Sequence, residues 1–315
     1  MKNKYIHLTG GLGNQLFQIS AALSISDRQE ELMLSVKNGK PRLSPSGEPD
    51  LLSFNLPENI VVDRTQKFSY FAAKASGYVL RMSASPRKYE GSRIFKLLIR
   101  WSCSLINSIY FKKLVNVFKV ENVGFTNLKQ NKNYLIGYFQ SYKYIENDKV
   151  FALMSQFTLK RPTTEVTKYI ELARAEKPIV VHVRRGDYQL EKSFGLLGNN
   201  YYEEALDHLL KRNGSRNIWV FSDDIHAAAE IFLKFSDLSI RYLDDFNNSA
   251  AHSLEVMRYG SAYVIGNSSF SWWAASLRKD RSAQVLAPLP WFMEAAEPLD
   301  LIPPDWDRID GHHFI

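Results

Sequence analysis

The sequence predicts an α/β protein whose C-terminal half is a doubly wound parallel sheet. Two observations predict that sheet. From Pro178 onward, β-branched runs of four to six residues alternate with helical stretches. Polar residues gather where those runs end, which is where ligands sit in such sheets. Length adds a third point, because 315 residues suggest two domains, divided as 1–162 and 163–315.

KYIHLT, Lys4 to Thr9, reads as a first strand, and GGLGNQ turns from it into an apolar helix through Ser24. Lys37 to Asn59 carries Pro41, Pro45, Pro49 and Pro57 among Gly, Ser and Asn, and reads as a long surface loop. A basic helical region follows, and then NYLIGYF, Asn133 to Phe139, as a strand. KRPTT, Lys160 to Thr164, marks a hinge before a helix over Glu165 to Ala175. Beyond it the strands are Pro178–Val183, Asn217–Ser222, Ile240–Leu243, Ala262–Gly266 and Gln284–Pro288. Between them lie helices over Tyr201–Arg212, Ile225–Phe235 and His252–Gly260.

The 45% hydrophobic fraction is enough to fill two cores. One cysteine, Cys103, excludes an internal disulfide framework and points to a reducing compartment. Met1 to Thr9 is too short and polar for a signal peptide, and no apolar run is long enough to span a bilayer, so a cytoplasmic protein is expected. The net charge of +7 is uneven: between Arg81 and Lys119, nine Lys or Arg face Glu90 alone. Within that stretch Phe95 to Leu114 interleaves cations with aromatics and aliphatics. Three readings stay open for it: a solvated helical face, a helix on an anionic membrane touching through residues 93–113, or a nucleic-acid surface. No nucleic-acid motif accompanies the charge, so no nucleic-acid partner is expected.

Four motifs sit at strand ends. In VIGNSSFSWWAASL, Val264 and Ile265 end a buried strand, Asn267, Ser268 and Ser269 offer cap side chains, and Phe270 to Leu277 continues as an apolar helix. Such a junction aims backbone N–H groups and a helix dipole at one point, which suits phosphate; an ordinary capped helix packing Trp272 and Trp273 is the plainer reading. In HVRRGDY, His182 and Arg184 share one strand face, and Arg184 with Arg185 can grip a diphosphate. Asp187 either orients an arginine or accepts a proton as general base; a surface Arg–Asp pair is the alternative. In FSDD, Asp223 or Asp224 can accept the adjacent donor pair that guanine alone presents among the common bases, or can simply cap the helix near Ile225. In GGLGNQLFQ, glycines such as Gly11 and Gly13 permit close backbone approach, although the motif is neither a P-loop nor a dinucleotide fingerprint. The one Asp-x-Asp candidate for a metal, Asp305-Trp306-Asp307, lies in a tail beside Pro303 and Pro304.

GGLGNQLFQ, HVRRGDY, FSDD and NSSFSWWAA occur in the order and approximate spacing of bacterial alpha-1,2-fucosyltransferases, and the chain resembles that family from about Ile6 to Leu277. The resemblance implies a GT-B-like pair of Rossmann-like domains facing across a cleft, with the acceptor side in 1–162 and the GDP-fucose site in 163–315. It implies inverting transfer from GDP-fucose to a galactose-terminated glycan, such as a surface polysaccharide or O-antigen intermediate, with no metal or other cofactor. Arg184, Asp187 and His182 are the candidate catalytic residues; by the same resemblance Arg184 would bind the donor diphosphate and His182 would line its pocket. Asp224, with Asp223 beside it, would contact guanine. Ser268 and Ser269 would cradle phosphate alongside Arg185, Asn267 and Phe270. Asn14 and Gln15 would face the cleft from the first domain, with Gly11 and Gly13 as further substrate-binding candidates beside them. One departure stands out: where the family usually carries Asp four residues before the methionine matching Met257, this chain has Ser253, with His252 and Glu255 nearby. Two other readings are a transferase of different sugar or linkage specificity, and a basic membrane- or nucleic-acid-binding protein with a vestigial nucleotide pocket.

Overall fold

Among the described residues every ladder between strands is parallel, as the alternation of the C-terminal half predicts. The computed structural model describes residues 4–26, 30–36, 41–64, 114–115, 124–125, 134–135, 137–186, 195–244, 246, 249–294, 297–310 and 314. They divide into one unit of Met1–Arg42 with Leu56–Met154 and another of Leu43–Asn55 with Ser155–Ile315.

In the first unit β1 (Lys4–His7), β2 (Leu32–Ser35), β3 (Ile60–Asp63), β4 (Leu114–Val115) and β5 (Tyr134–Leu135) lie in the order β3-β2-β1-β5-β4. The helix α1 (Leu12–Ile25) follows β1 and buries Leu12, Leu16, Phe17, Ile19 and Leu23. Sequence periodicity does not announce β2 and β3. Each is only four residues long, and their register with β1 (Lys4↔Leu32, and Leu32↔Ile60 beyond it) supplies what their own pattern lacks.

The second unit holds β6 (Ile179–Val183), β7 (Asn217–Ser222), β8 (Ser239–Leu243), β9 (Ala262–Val264), β10 (Gln284–Leu289) and β11 (Asp307–Asp310). Their order is β11-β10-β9-β6-β7-β8. The chain therefore builds outward from β6 to β8, returns to place β9 on the other side of β6, and builds outward again. The β6/β9 boundary is the topological switch point of this sheet. The helix α2 (Asp148–Ser155) closes the first unit, and the helices of the second are α3 (Thr164–Glu176), α4 (Asn199–Asn213), α5 (Ile225–Ile231), α6 (Ala250–Met257) and α7 (Ser269–Ser276). Thr163 caps α3 by accepting from the Val166 N–H at 3.2 Å. One core gathers Ile179, Val181, Val183, Val220 and Val264 with Tyr201, Tyr202, Leu206 and Leu209 of α4. On the opposite side, Trp219 meets Tyr169 of α3 edge-on at 5.8 Å and donates to Glu176 at 2.8 Å.

The Pro-rich stretch read as a surface loop is partly core. Leu51 and Phe54 around the 3-10 turn Asp50–Ser53 are buried within the second unit. Phe54 bridges Leu159, Asn55 N–H donates to Thr158 O at 2.7 Å, and Lys160 N–H donates to Ser53 O at 2.9 Å. Arg258 holds the same region: its buried guanidinium donates to Ser155 O (2.8 Å), Phe157 O (2.9 Å) and Leu277 O (2.9 Å), and pairs with Glu255 at 2.6 Å. Among the described residues no helix is long and apolar enough to cross a membrane. The basic stretch 93–113 and its membrane reading lie outside the described residues.

Candidate functional site

β7, β6 and β9 lie side by side, and polar residues follow each of them. Strand β6 closes on His182 and Val183, in register with Phe221 and Ser222 of β7. Arg184 comes next and pairs with Asp223 of the β7 end at 3.0 Å, both side chains keeping about a fifth of their surface open. The other oxygen of Asp223 accepts from the Arg185 backbone N–H at 2.8 Å. Gly186 leaves no room for a Cβ against that carboxylate, so the chain turns closely over it. The Arg185 side chain runs inward instead, is buried, and donates to Leu197 O at 2.7 Å. Asp187 lies outside the described residues.

Asp224 is the N-cap of α5, its Oδ1 accepting from the Ala227 N–H at 3.0 Å. At the β9 end Ser268 is the N-cap of α7, and its hydroxyl accepts from Phe270 N–H at 3.3 Å. Ser269 opens the helix, half-buried. Asn267 is buried and donates to Gly195 O at 3.2 Å, so its amide braces the chain just before Leu197. The Phe270 ring lies 5.6 Å from the His182 ring. His182 itself is buried, with Nδ1 meeting no hydrogen-bond partner. Burial and then the Arg184 charge push its pKa down to about 3, against the pull of Asp223. The imidazole is therefore neutral at ordinary pH. Arg184 after β6, Asp223 after β7 and the start of α7 after β9 thus border the switch point, the candidate crevice of this sheet.

In the first unit Gly10, at φ +72°, makes the turn into α1; a Cβ there would strike the Asn14 amide at 2.6 Å. Gly11 is the N-cap with no side-chain cap, and Gly13 is buried inside the helix. Asn14 accepts from the Gln140 amide at 2.7 Å. Gln15 is buried and donates to Gly10 O (2.9 Å) and Arg42 O (3.2 Å), fastening the turn.

The profile of glycosyl transferase family 11 matches residues 104–300. The chain belongs to this family. It is 27% identical over 317 aligned residues to an alpha-1,2-colitosyltransferase of Escherichia coli, covering 96% of this chain and 97% of that protein. It is 26% identical to the O-antigen biosynthesis glycosyltransferase WbnK of Escherichia coli, over 91% of this chain and 94% of the relative. Among solved structures, POFUT1 in complex with GDP aligns with 91% of the chain and 98% of its own, at 13% identity and a TM-score of 0.48. That likeness adds nothing to the parallel-sheet architecture described above.

For this family 11 glycosyltransferase, two parts of the site are not legible as motifs. Tyr201 and Tyr202 sit in the first turn of α4, fully buried. The Tyr201 hydroxyl donates to Ile265 O at 2.6 Å, and the Tyr202 hydroxyl accepts from the Arg184 backbone N–H. Two tyrosines after Asn199 and Asn200 read as core; only their paired polar tips hint at more. Ser253, singled out in the sequence, is buried within α6. Neighbouring Glu255 is committed to Arg258, and His252 makes a 3.2 Å contact with Arg161 O. Asp305 lies 3.7 Å from Arg278, and Asp307 begins β11 beside Gln284, at the amino edge of the sheet and away from the crevice. Among the described residues, no three His, Cys, Asp or Glu side chains come together as a metal-ligand set.

Proposed function

We propose that the protein is an inverting alpha-1,2-fucosyltransferase, moving L-fucose from GDP-β-L-fucose to a galactose hydroxyl of a surface glycan or O-antigen intermediate. The observation that carries this reading is that Arg184, braced by Asp223, follows β6 while the Ser268-capped α7 follows the adjacent strand β9, with the His182 and Phe270 rings 5.6 Å apart between them. In the proposed step a base takes the acceptor hydroxyl proton while that oxygen bonds to the anomeric carbon. The carbon–oxygen bond to the diphosphate breaks with its electron pair, and GDP departs. Arg184 and the N–H groups of α7 offset the charge that builds on the leaving diphosphate, which serves in place of a metal. Asp224, whose Oδ1 caps α5, presents its second oxygen to guanine. His182 is buried and packed beside Phe270 instead of open to an acceptor, and Asp187 is the candidate base.

The first unit then supplies the acceptor side, with Asn14 as its polar contact. Contact with an anionic membrane through 93–113 would bring a lipid-linked acceptor within reach at the cytoplasmic face. A second reading, transfer of colitose rather than fucose in the same linkage, is supported by the near-full-length relative of that name. Incubation with GDP-fucose and GDP-colitose in turn, across a panel of galactosides with the linkage read by NMR, tests both. Transfer of either sugar in an α-1,2 linkage selects between them. Binding of UDP in preference to GDP would overturn both.

A further inference from the structure

The side chains of the crevice hang from three strand ends, and two neighbouring tyrosines of α4 reach those of β6 and β9. Strand β6 ends at Val183 and β9 at Val264, paired through Val181↔Val264. Tyr201 donates its hydroxyl to Ile265 O at 2.6 Å, one residue past β9. Tyr202 receives the backbone N–H of Arg184, one residue past β6. The two rings pack edge-to-face at 5.0 Å, and Tyr202 is wedged further against Phe232 at 6.3 Å. A fully buried hydroxyl is unfavourable unless bonded, so phenylalanine would serve the core better than tyrosine if packing were the whole purpose.

The space between the two strand ends is filled. A Cβ on Gly266 would lie 3.0 Å from the His182 carbonyl oxygen and 3.6 Å from both His182 Nδ1 and the Tyr202 hydroxyl. The phenol of Tyr202, the imidazole of His182 and the β9–α7 turn thus form one packed layer under the crevice. Any drift of Tyr202 displaces the Arg184 backbone, and with it the guanidinium that meets Asp223 at 3.0 Å. Drift of Tyr201 displaces the turn that sets the start of α7.

We infer that Tyr201 and Tyr202 are positioning residues of the donor site: Tyr202 sets Arg184 through its backbone, and Tyr201 sets the Ser268 start of α7. This rests on the proposed reading of the crevice as a nucleoside-diphosphate site. The two tyrosines hold its two lips separately, so their effects are separable.

Calorimetric titration with GDP tests it, alongside melting temperature. Tyr202→Phe should weaken GDP roughly three- to tenfold, the range that loss of one net hydrogen bond corresponds to. Tyr263→Phe is the matched control, since its buried hydroxyl donates to Met257 O at 3.0 Å, at the opposite end of β9. It should lower the melting temperature comparably and leave GDP affinity alone. In an Arg184→Lys background, Tyr202→Phe should have almost no further effect on GDP, because it acts through Arg184, whereas Tyr201→Phe should keep its effect. Equal weakening by Tyr202→Phe in both backgrounds would overturn the role assigned to it. So would a Tyr202→Phe protein that loses stability like the control but binds GDP as tightly as the wild type. Failure of the wild type to bind GDP at all would instead overturn the donor-site reading, and the positioning roles with it.

Discussion

Acidification is the perturbation that tests the buried imidazole at the crevice most directly. His182 is neutral in the folded protein down to about pH 3, because burial and then the Arg184 charge disfavour its protonated form. In the unfolded chain the same side chain takes up a proton near pH 6.5. Below that pH the unfolded state holds more protons at this position than the native state, so stability falls as pH falls. The contribution is absent above about pH 7.5 and grows to about 2 kcal/mol by pH 5, approaching 1.4 kcal/mol for each further unit. Urea unfolding of the wild type and of His182→Asn at several pH values between 7.5 and 5 isolates it, since the remaining histidines cancel in the difference. The wild type should lose about 2 kcal/mol relative to the variant over that range. A difference that stays constant with pH would refute the buried, uncharged state assigned to His182.

Arg184→Lys should lose most transferase activity while the melting temperature stays close to wild type, because lysine keeps the charge but not the planar donor pair a diphosphate needs; activity within a few-fold of wild type would count against the role. Arg185→Met should do the reverse, lowering the melting temperature more than GDP affinity, since its guanidinium holds the Leu197 carbonyl rather than facing the crevice. At Asp224, replacement by Ala should cost about 1 kcal/mol of stability through loss of the α5 cap, whereas Asn should cost little stability yet weaken GDP; an Asn variant that binds GDP normally would leave Asp224 as a cap alone. Turnover in excess EDTA should match turnover without it, and rescue of a lost activity by Mn²⁺ would reverse that expectation.

How much of this was open to reading depends on whether a residue's neighbours in sequence are also its neighbours in space. Strands β6 and β7 are legible because IVVHV and NIWVFS are buried apolar runs, and α3 because Thr163 announces its start. Strand β11, with the sequence DRID, is an edge strand whose polar residues face solvent on one side, so it carries no apolar run. The strand-end motifs were visible for the same local reason: a hydroxyl or guanidinium after a buried run has few places to go. Sequence does not say which of two adjacent polar residues turns outward. Arg184 and Arg185 look alike in HVRRGD, yet one pairs with Asp223 and the other is spent on a carbonyl. Asn267 and Gln15 are likewise spent on backbone acceptors. The two α4 tyrosines escape notice because their partners, Ile265 and Arg184, are distant in sequence.

The pinning of residues 43–55 against 155–160 bears on how this protein can be dissected. A recombinant fragment begun at residue 163 would lack both legs of that clasp. Arg258 would be left with Glu255 and Leu277 while losing the Ser155 and Phe157 carbonyls, and each buried guanidinium N–H so orphaned is unfavourable by about 1–3 kcal/mol. Phe157, packed at 6.5 Å from Phe54, would vanish together with its partner. The crevice-bearing half is discontinuous in sequence. It would have to be excised by joining the 43–55 segment to the remainder through a designed bridge, not by a single cut.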